Sequence, residues 1–217
     1  MARTGEKYTV ALAYDLSESD GSRREVAVLP FSDASVSISF DEADHLSIVG
    51  TPLSGKTLLA EEIVRQLRGR GFVYHATDID LSNAELVEEN ERNLAEVSLL
   101  LTESRNTEPV FLVLDRADYL SDRALGVLES VLADAGEHGI HVIAVQSRPS
   151  EHWNRRIAPF FNRRVIMGKA SRRFIERELR SKLVIEDGHR DWAALYEDSD
   201  QRVVYVPSEV RDRAQSS

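Results

Sequence analysis

The stretch "IVGTPLSGKT" at positions 48–57 constrains this chain more than any other. An apolar, β-branched run ends in Gly50, four residues pass, and Gly55-Lys56-Thr57 follow, which is the G-x-x-x-x-G-K-[ST] pattern of a phosphate-binding loop. The pattern has a mechanical basis. Glycines let successive backbone N–H groups turn inward around phosphate oxygens, and the helix that starts at the second glycine adds the partial positive charge of its N-terminus. Gly50, Thr51, Pro52, Leu53, Ser54, Gly55, Lys56, Thr57 and Leu58 are therefore expected to hold ATP. Lys56 is expected to reach the β- and γ-phosphates, and the Thr57 hydroxyl to ligate Mg²⁺. Such a loop works only between a strand and a helix. "HLSIVG" reads as that strand, and Leu58, Leu59, Ile63, Val64 and Leu67 recur on one helical face up to Gly69 or Gly71.

The same alternation continues downstream. "FVYHAT" reads as a strand, and Ser82 followed by Glu85 is a capping box opening a helix to about residue 104. "VFLVLD" is nearly all apolar, as expected of a strand covered on both faces. A helix is expected over about 122–135, stopping near Gly136, followed by the strands "IHVIAVQS" and "RRVIMG", a helix opening at Ser171, and a last strand "RVVYVP". Strands alternating with helices predict an α/β fold with a mainly parallel sheet flanked by helices. Before it, "YTVALAY" and "EVAVLPF" bracket a polar hairpin or loop, and "SVSISF" alternates apolar and polar, so antiparallel strands are expected at the N-terminal end.

Three positions complete a nucleotide site on this reading. Asp115 ends the "VFLVLD" strand, where an acid can hold the metal; a strand-end Asp that merely caps the next turn is the alternative. Gln146, at the end of "IHVIAVQS", is placed to meet the γ-phosphate or the attacking water. The residue after Asp115 is Arg116, which cannot accept a proton, so the nearest acid for water activation is Asp118. Hydrolysis is thereby put in doubt while binding is not. Asp78 and Asp80 follow the "FVYHAT" strand and are read as a solvated loop, and His45 as structural.

Composition sets the remaining limits. The chain has 217 residues, enough for one substantial core, and no cysteine, which excludes disulfides and thiolate-held metals. There is no signal-peptide pattern at the N-terminus and no apolar run near the ~20 residues of a membrane span, so export and direct membrane insertion are not expected. Net charge is −10, yet residues 148–182 hold eleven Arg/Lys against three Asp/Glu. An acidic whole argues against nonspecific nucleic-acid binding by the entire surface. The basic segment is either one anion- or partner-facing surface or a solvated face with scattered arginines. Trp153, Phe160 and Phe161 lie within it, as core packing or as a docking surface.

Several segments together resemble the FtsK/SpoIIIE family of P-loop ATPases. "DHLSIVGTPLSGKT" resembles its first signature, "EHGIHVIAVQSRPS" its G-I-H-L-x-x-A-T-Q-R-P-S segment, and "NRRVIMGKASRRFIERELRS" the strand and helix that follow. The likeness spans roughly residues 26–182. Within the family, "VAVLPFSDASVSISFDEADHLSIVG" is most similar to the lead-in of later domains of EccC (EssC in other bacteria), the multi-ATPase protein of type VII secretion. There the acid after the metal-binding Asp is often lost, and "DRADYL" matches a D-x-x-D pattern through Asp115 and Asp118. The chain departs from the DNA-pumping branch in that Ser147 separates Gln146 from Arg148.

The resemblance implies a RecA-like P-loop NTPase domain over 1–207. It would comprise an N-terminal β extension (8–40), a nucleotide-binding core (41–182) and a C-terminal strand region (183–207), before a flexible tail (208–217). It also implies ATP and Mg²⁺ as ligands and sister ATPase domains or subunits, in a hexamer or tandem array, as partners. The substrate would be a secreted helical peptide, with DNA the less favoured alternative. The location would be cytoplasmic, as the cytosolic part of a membrane-associated complex. In ring ATPases an arginine of one subunit often completes its neighbour's site; Arg155, Arg156, Arg163, Arg164, Arg172 and Arg173 are the candidates. Two other functions stay open: a DNA translocase or DNA-stimulated ATPase, and a non-hydrolysing interaction module stabilised by nucleotide.

Overall fold

The computed structural model describes residues 8–11, 37–40, 44–76, 82–102, 108–167, 193–197 and 200–204. The expected strand at 25–31, Asp78 and Asp80, the expected helix from Ser171 with Arg172 and Arg173, and the tail lie outside these residues. Among the described residues nine strands are placed: β1 (Tyr8–Ala11), β2 (Ser37–Phe40), β3 (Leu46–Gly50), β4 (Phe72–Ala76), β5 (Val110–Leu114), β6 (Ile140–Gln146), β7 (Arg163–Met167), β8 (Ala193–Glu197) and β9 (Asp200–Val204). The α-helices among the described residues are α1 (Lys56–Leu67), α2 (Asn83–Leu100) and α3 (Asp122–His138).

Seven strands form one sheet in the order β4-β5-β6-β3-β7-β8-β9. The five from β4 to β7 are parallel, as the alternating pattern requires, and β8 and β9 add antiparallel. β1 and β2 pair antiparallel in a separate two-stranded sheet. β3, β5 and β6 are buried along their whole length, which explains their continuous apolar runs. One face packs on α1, where Ile63 and Leu67 meet Ile48, Val113, Ile143 and Val165. The other packs on α2 and α3, where Leu94, Leu128 and Val131 meet Leu112, Leu114 and Val142. Helices on opposite faces make the chain reverse direction across the sheet beside β3, and ligands of open α/β sheets bind beyond the strand C-termini at such a reversal.

Two boundaries differ from the sequence reading. α3 does not stop near Gly136, which keeps helical geometry; it ends at Gly139, whose φ of 65° closes the helix with a bond to the Ala135 carbonyl. α2 ends at Leu100, where an N–H bond from Leu101 tightens onto Leu99.

At the N-terminal edge of the central strands, buried polar groups replace ladder bonds. The Val142 N–H donates to His45 Nδ1 at 3.1 Å, the His45 N–H donates to Asn162 Oδ1, and Asp44 accepts from the Arg163 guanidinium at 2.7 Å. Burial, with His141 nearby, lowers the His45 pKa to about 4, so its imidazole is neutral and accepts through Nδ1. His45 is structural, as expected.

Candidate functional site

The phosphate loop leaves β3 at the centre of the sheet. A Cβ at Gly50 would fall on the Met167 carbonyl oxygen of β7 and crowd Ser54 Oγ, so the first glycine is fixed by the close approach of two strands. At the far end Gly55 adopts φ 86° as the N-cap of α1, which points the first turn's N–H groups back into the loop. Between them Leu53 takes φ 63° and is 96% exposed, so the apex of the loop presents an apolar side chain to solvent.

Lys56 is 8% exposed and donates from Nζ to the Thr51 carbonyl at 2.8 Å, strapping the loop across its own mouth. Burial pulls its pKa below the ordinary lysine range, Asp115 and Asp118 oppose that, and the Arg116 cation adds to it. The Thr57 hydroxyl donates to Asp115 Oδ2 at 2.8 Å, and the Arg116 N–H donates to Asp115 Oδ1 at 2.8 Å. Asp115 is 2% exposed, and burial raises its pKa against those two bonds. A buried carboxylate touching the threonine of a phosphate loop has the chemistry of a cation site. These residues suit a divalent cation such as Mg²⁺, which Thr57 and Asp115 would hold. The structure brings together Lys56, Thr57 and Asp115, which the sequence places far apart.

Asp118 sits on the turn after β5 and accepts from the backbone N–H groups of Ser147 and Arg148 through Oδ2, at 3.4 and 3.2 Å. It thus ties that turn to the end of β6, and its charge reaches Lys56. Its Oδ1 is buried without a hydrogen-bond partner among the described residues. Gln146 is 1% exposed; its Nε2 donates to Ser47 Oγ at 3.4 Å, and its Oε1 is likewise buried without a partner there.

Sequence reasoning missed α2's part in the site. Asn90, fully buried, donates from Nδ2 to the Asp115 carbonyl at 2.5 Å, and Glu91 accepts from the Ser121 N–H at 3.1 Å. The signal was present: Asn90 and Asn93 interrupt an otherwise apolar face made by Leu86, Leu94 and Val97, and polar residues on a buried stripe need partners.

The basic segment is less available than its count suggests. Arg163 and Arg164 are already engaged within the chain: Arg163 pairs with Asp44 at the opposite end of the sheet from the loop, and Arg164 is buried, donating to the Phe161 and Ala158 carbonyls. Arg155 pairs with Glu151 and Arg156 with Glu129 of α3, both at 2.7 Å on the surface. Trp153 and Phe161 are core residues, each 2% exposed, with ring centroids 5.5 Å apart. Among the described residues, no helix is long and apolar enough to cross a membrane.

No protein-family model matches the sequence, and a search of curated proteins returns no match. Solved structures do match. The monomer form of the pCW3 conjugation coupling protein TcpA with ATPγS superposes at a TM-score of 0.64 with 13% identity, over 95% of this chain and 74% of that one. The cytoplasmic domain of the Thermomonospora curvata type VII secretion ATPase EccC gives 0.60 at 15% identity, over 91% of this chain. ATPases 2 and 3 of that protein with a signal sequence peptide give 0.58 at 14%, over 94%. This chain spans only 28% and 41% of those two EccC chains. With its loop, its central β3 and its five parallel strands, this chain has the P-loop NTPase fold shared by TcpA and the EccC ATPases.

Proposed function

We propose that this chain is an ATP-binding domain of an FtsK/SpoIIIE-type motor, most like an EccC-type ATPase of type VII protein secretion, with weak or partner-dependent hydrolysis. The observation that carries it is the Thr57–Asp115 bond beside the buried Lys56, followed directly by Arg116 where a water-activating acid would stand. Lys56 leaves the Thr51 carbonyl for the β- and γ-phosphates, while Thr57 and Asp115 hold the metal. Mg²⁺, when bound, neutralises charge on the phosphate oxygens. Asp118 and Gln146 each keep one buried oxygen to orient water. One is a neutral amide and the other a carboxylate already shared with two backbone donors, so neither is a strong base. That supports slow turnover, with a neighbour supplying what is missing.

The fold shared with TcpA and EccC supports sister ATPase domains or subunits as partners. The EccC structure with a signal sequence peptide supports a secreted peptide as substrate, and the EccC cytoplasmic domains support a cytosolic position at a membrane complex. The likeness to a conjugation coupling protein favours DNA as the second reading, but the pairing of Arg155, Arg156, Arg163 and Arg164 with acids or carbonyls weighs against it.

Calorimetric titration with Mg·ATP and a turnover assay test the proposal. Wild type binds, and Lys56→Ala loses at least about tenfold in affinity, the worth of a charge-assisted contact. Absent binding by wild type, or unchanged binding by the variant, overturns it. Fast turnover by the chain alone overturns the weak-hydrolysis part. Turnover stimulated by DNA and falling steeply with salt replaces it with the DNA reading.

A further inference from the structure

Arg116 is more than a missing acid. It takes φ 55°, ψ 41°, a left-handed conformation that is unfavourable for a residue bearing a side chain. The conformation is held on every side. The Arg116 N–H is on Asp115 Oδ1, the Tyr119 N–H donates to the Arg116 carbonyl at 3.0 Å, and Asn90 grips the Asp115 carbonyl. A strained conformation enforced by its surroundings marks a functional position. The side chain is half-buried, and among the described residues its guanidinium has no hydrogen-bond or ion-pair partner. Asp115 is a carboxylate within reach of its charge, but both Asp115 oxygens already accept, from the Thr57 hydroxyl and the Arg116 N–H, so among the described residues the guanidinium's own donors are left for a ligand. Its backbone N–H on Asp115 Oδ1 puts the residue at the end of β5 beside the loop, and its charge reaches both Lys56 of the loop and Asp115.

We infer that Arg116 binds the terminal phosphate of the nucleotide from within the same chain, so that the site prefers a triphosphate to a diphosphate and depends less on Mg²⁺. The inference rests on the nucleotide-binding reading above. Its physics is a reversal of sign: an acid at this position would repel the terminal phosphate, whereas a guanidinium donates charge-assisted hydrogen bonds to it. The same reversal explains how binding can be favoured while water activation is lost.

The test is calorimetric titration of the full chain with ATP and ADP, each with Mg²⁺ and with EDTA, for wild type, Arg116→Asn, Arg116→Lys and Lys56→Ala. Asparagine tolerates the left-handed conformation, so Arg116→Asn removes the charge without a folding penalty; circular dichroism and melting confirm the fold. Arg116→Asn is expected to lose about tenfold for ATP and less than about twofold for ADP, with the ATP loss larger in EDTA. Arg116→Lys restores part of the ATP preference. Equal losses for ATP and ADP, or no loss for either, overturn the inference while leaving the nucleotide site standing. Failure of wild type to bind ATP overturns both. An unchanged Lys56→Ala overturns the reading of the loop by itself.

Discussion

At the scale of single residues, the same polar groups that fix the fold carry measurable charge effects. His45 accepts the Val142 N–H and can do so only as the neutral imidazole. Its folded pKa, about 4, lies below the 6.5 of the unfolded chain. The unfolded state therefore binds the extra proton first, and the stabilisation is fully present above pH 6.5 and is lost as pH falls through 4. The loss is on the order of 3 kcal/mol by linkage. Urea titrations at pH 7 and pH 4.5 should show it, and His45→Asn, whose side-chain oxygen can take the same N–H, should flatten the dependence across that window. Asp115 makes the opposite case. It is a buried acid whose negative charge is useful only with a cation beside it. Asp115→Asn is expected to leave the melting temperature of the nucleotide-free protein unchanged or higher, because the amide can still bond the Arg116 N–H and the Thr57 hydroxyl. It should also abolish the extra stabilisation that Mg²⁺ gives to nucleotide binding; a variant that melts well below wild type and still responds to Mg·ATP would contradict this. The phosphate loop, Asp115 and Gln146 were legible in the sequence because each sits at a strand end with a fixed spacing. The partners of Asp118 were not: its bonds to Ser147 and Arg148 span about thirty residues, and nothing local announces them.

Among the elements, α2 has the largest part that its pattern does not reveal. Its start was legible: the Ser82 side chain accepts from the Glu85 N–H, and the Glu85 carboxylate accepts from the Ser82 N–H. Its task was not, because the carbonyl that Asn90 grips belongs to Asp115, brought alongside only when β5 docks. Asn90→Ala is expected to cost about 1–3 kcal/mol through the buried carbonyl left without a donor. The same change should weaken Mg·ATP binding through the displaced Asp115. Chemical denaturation gives the first and titration the second; a stability loss with unaltered nucleotide affinity would limit Asn90 to packing. The end of α3 was misplaced for a related reason. Gly136 and Gly139 are both plausible stops, and the choice falls to Gly139 because its carbonyl accepts the Val110 N–H at the start of β5 while Ile140 begins β6.

For the whole molecule, the alternation of strands and helices reported the parallel sheet but not its order. That α1 carries the chain from β3 past β6 and β5 to the edge strand β4 depends on which faces the helices cover, and β8 is a short strand without a clear apolar period. If the loop binds nucleotide only when folded, saturation at about a hundredfold over Kd raises global stability by about 2.7 kcal/mol. Thermal melts with and without Mg·ATP should show this for wild type, and at the same nucleotide concentration about half of it or less for Lys56→Ala, whose affinity is at least about tenfold lower. The Lys56 strap gives that binding its character. Its ammonium already rests on the Thr51 carbonyl, so nucleotide does not fill an empty hand. If the proposed function holds, nucleotide entry would be a partner exchange, in which one hydrogen bond opens as another forms. On the proposed function, the loop would meet its ligand already shaped by its own lysine, with little backbone left to order.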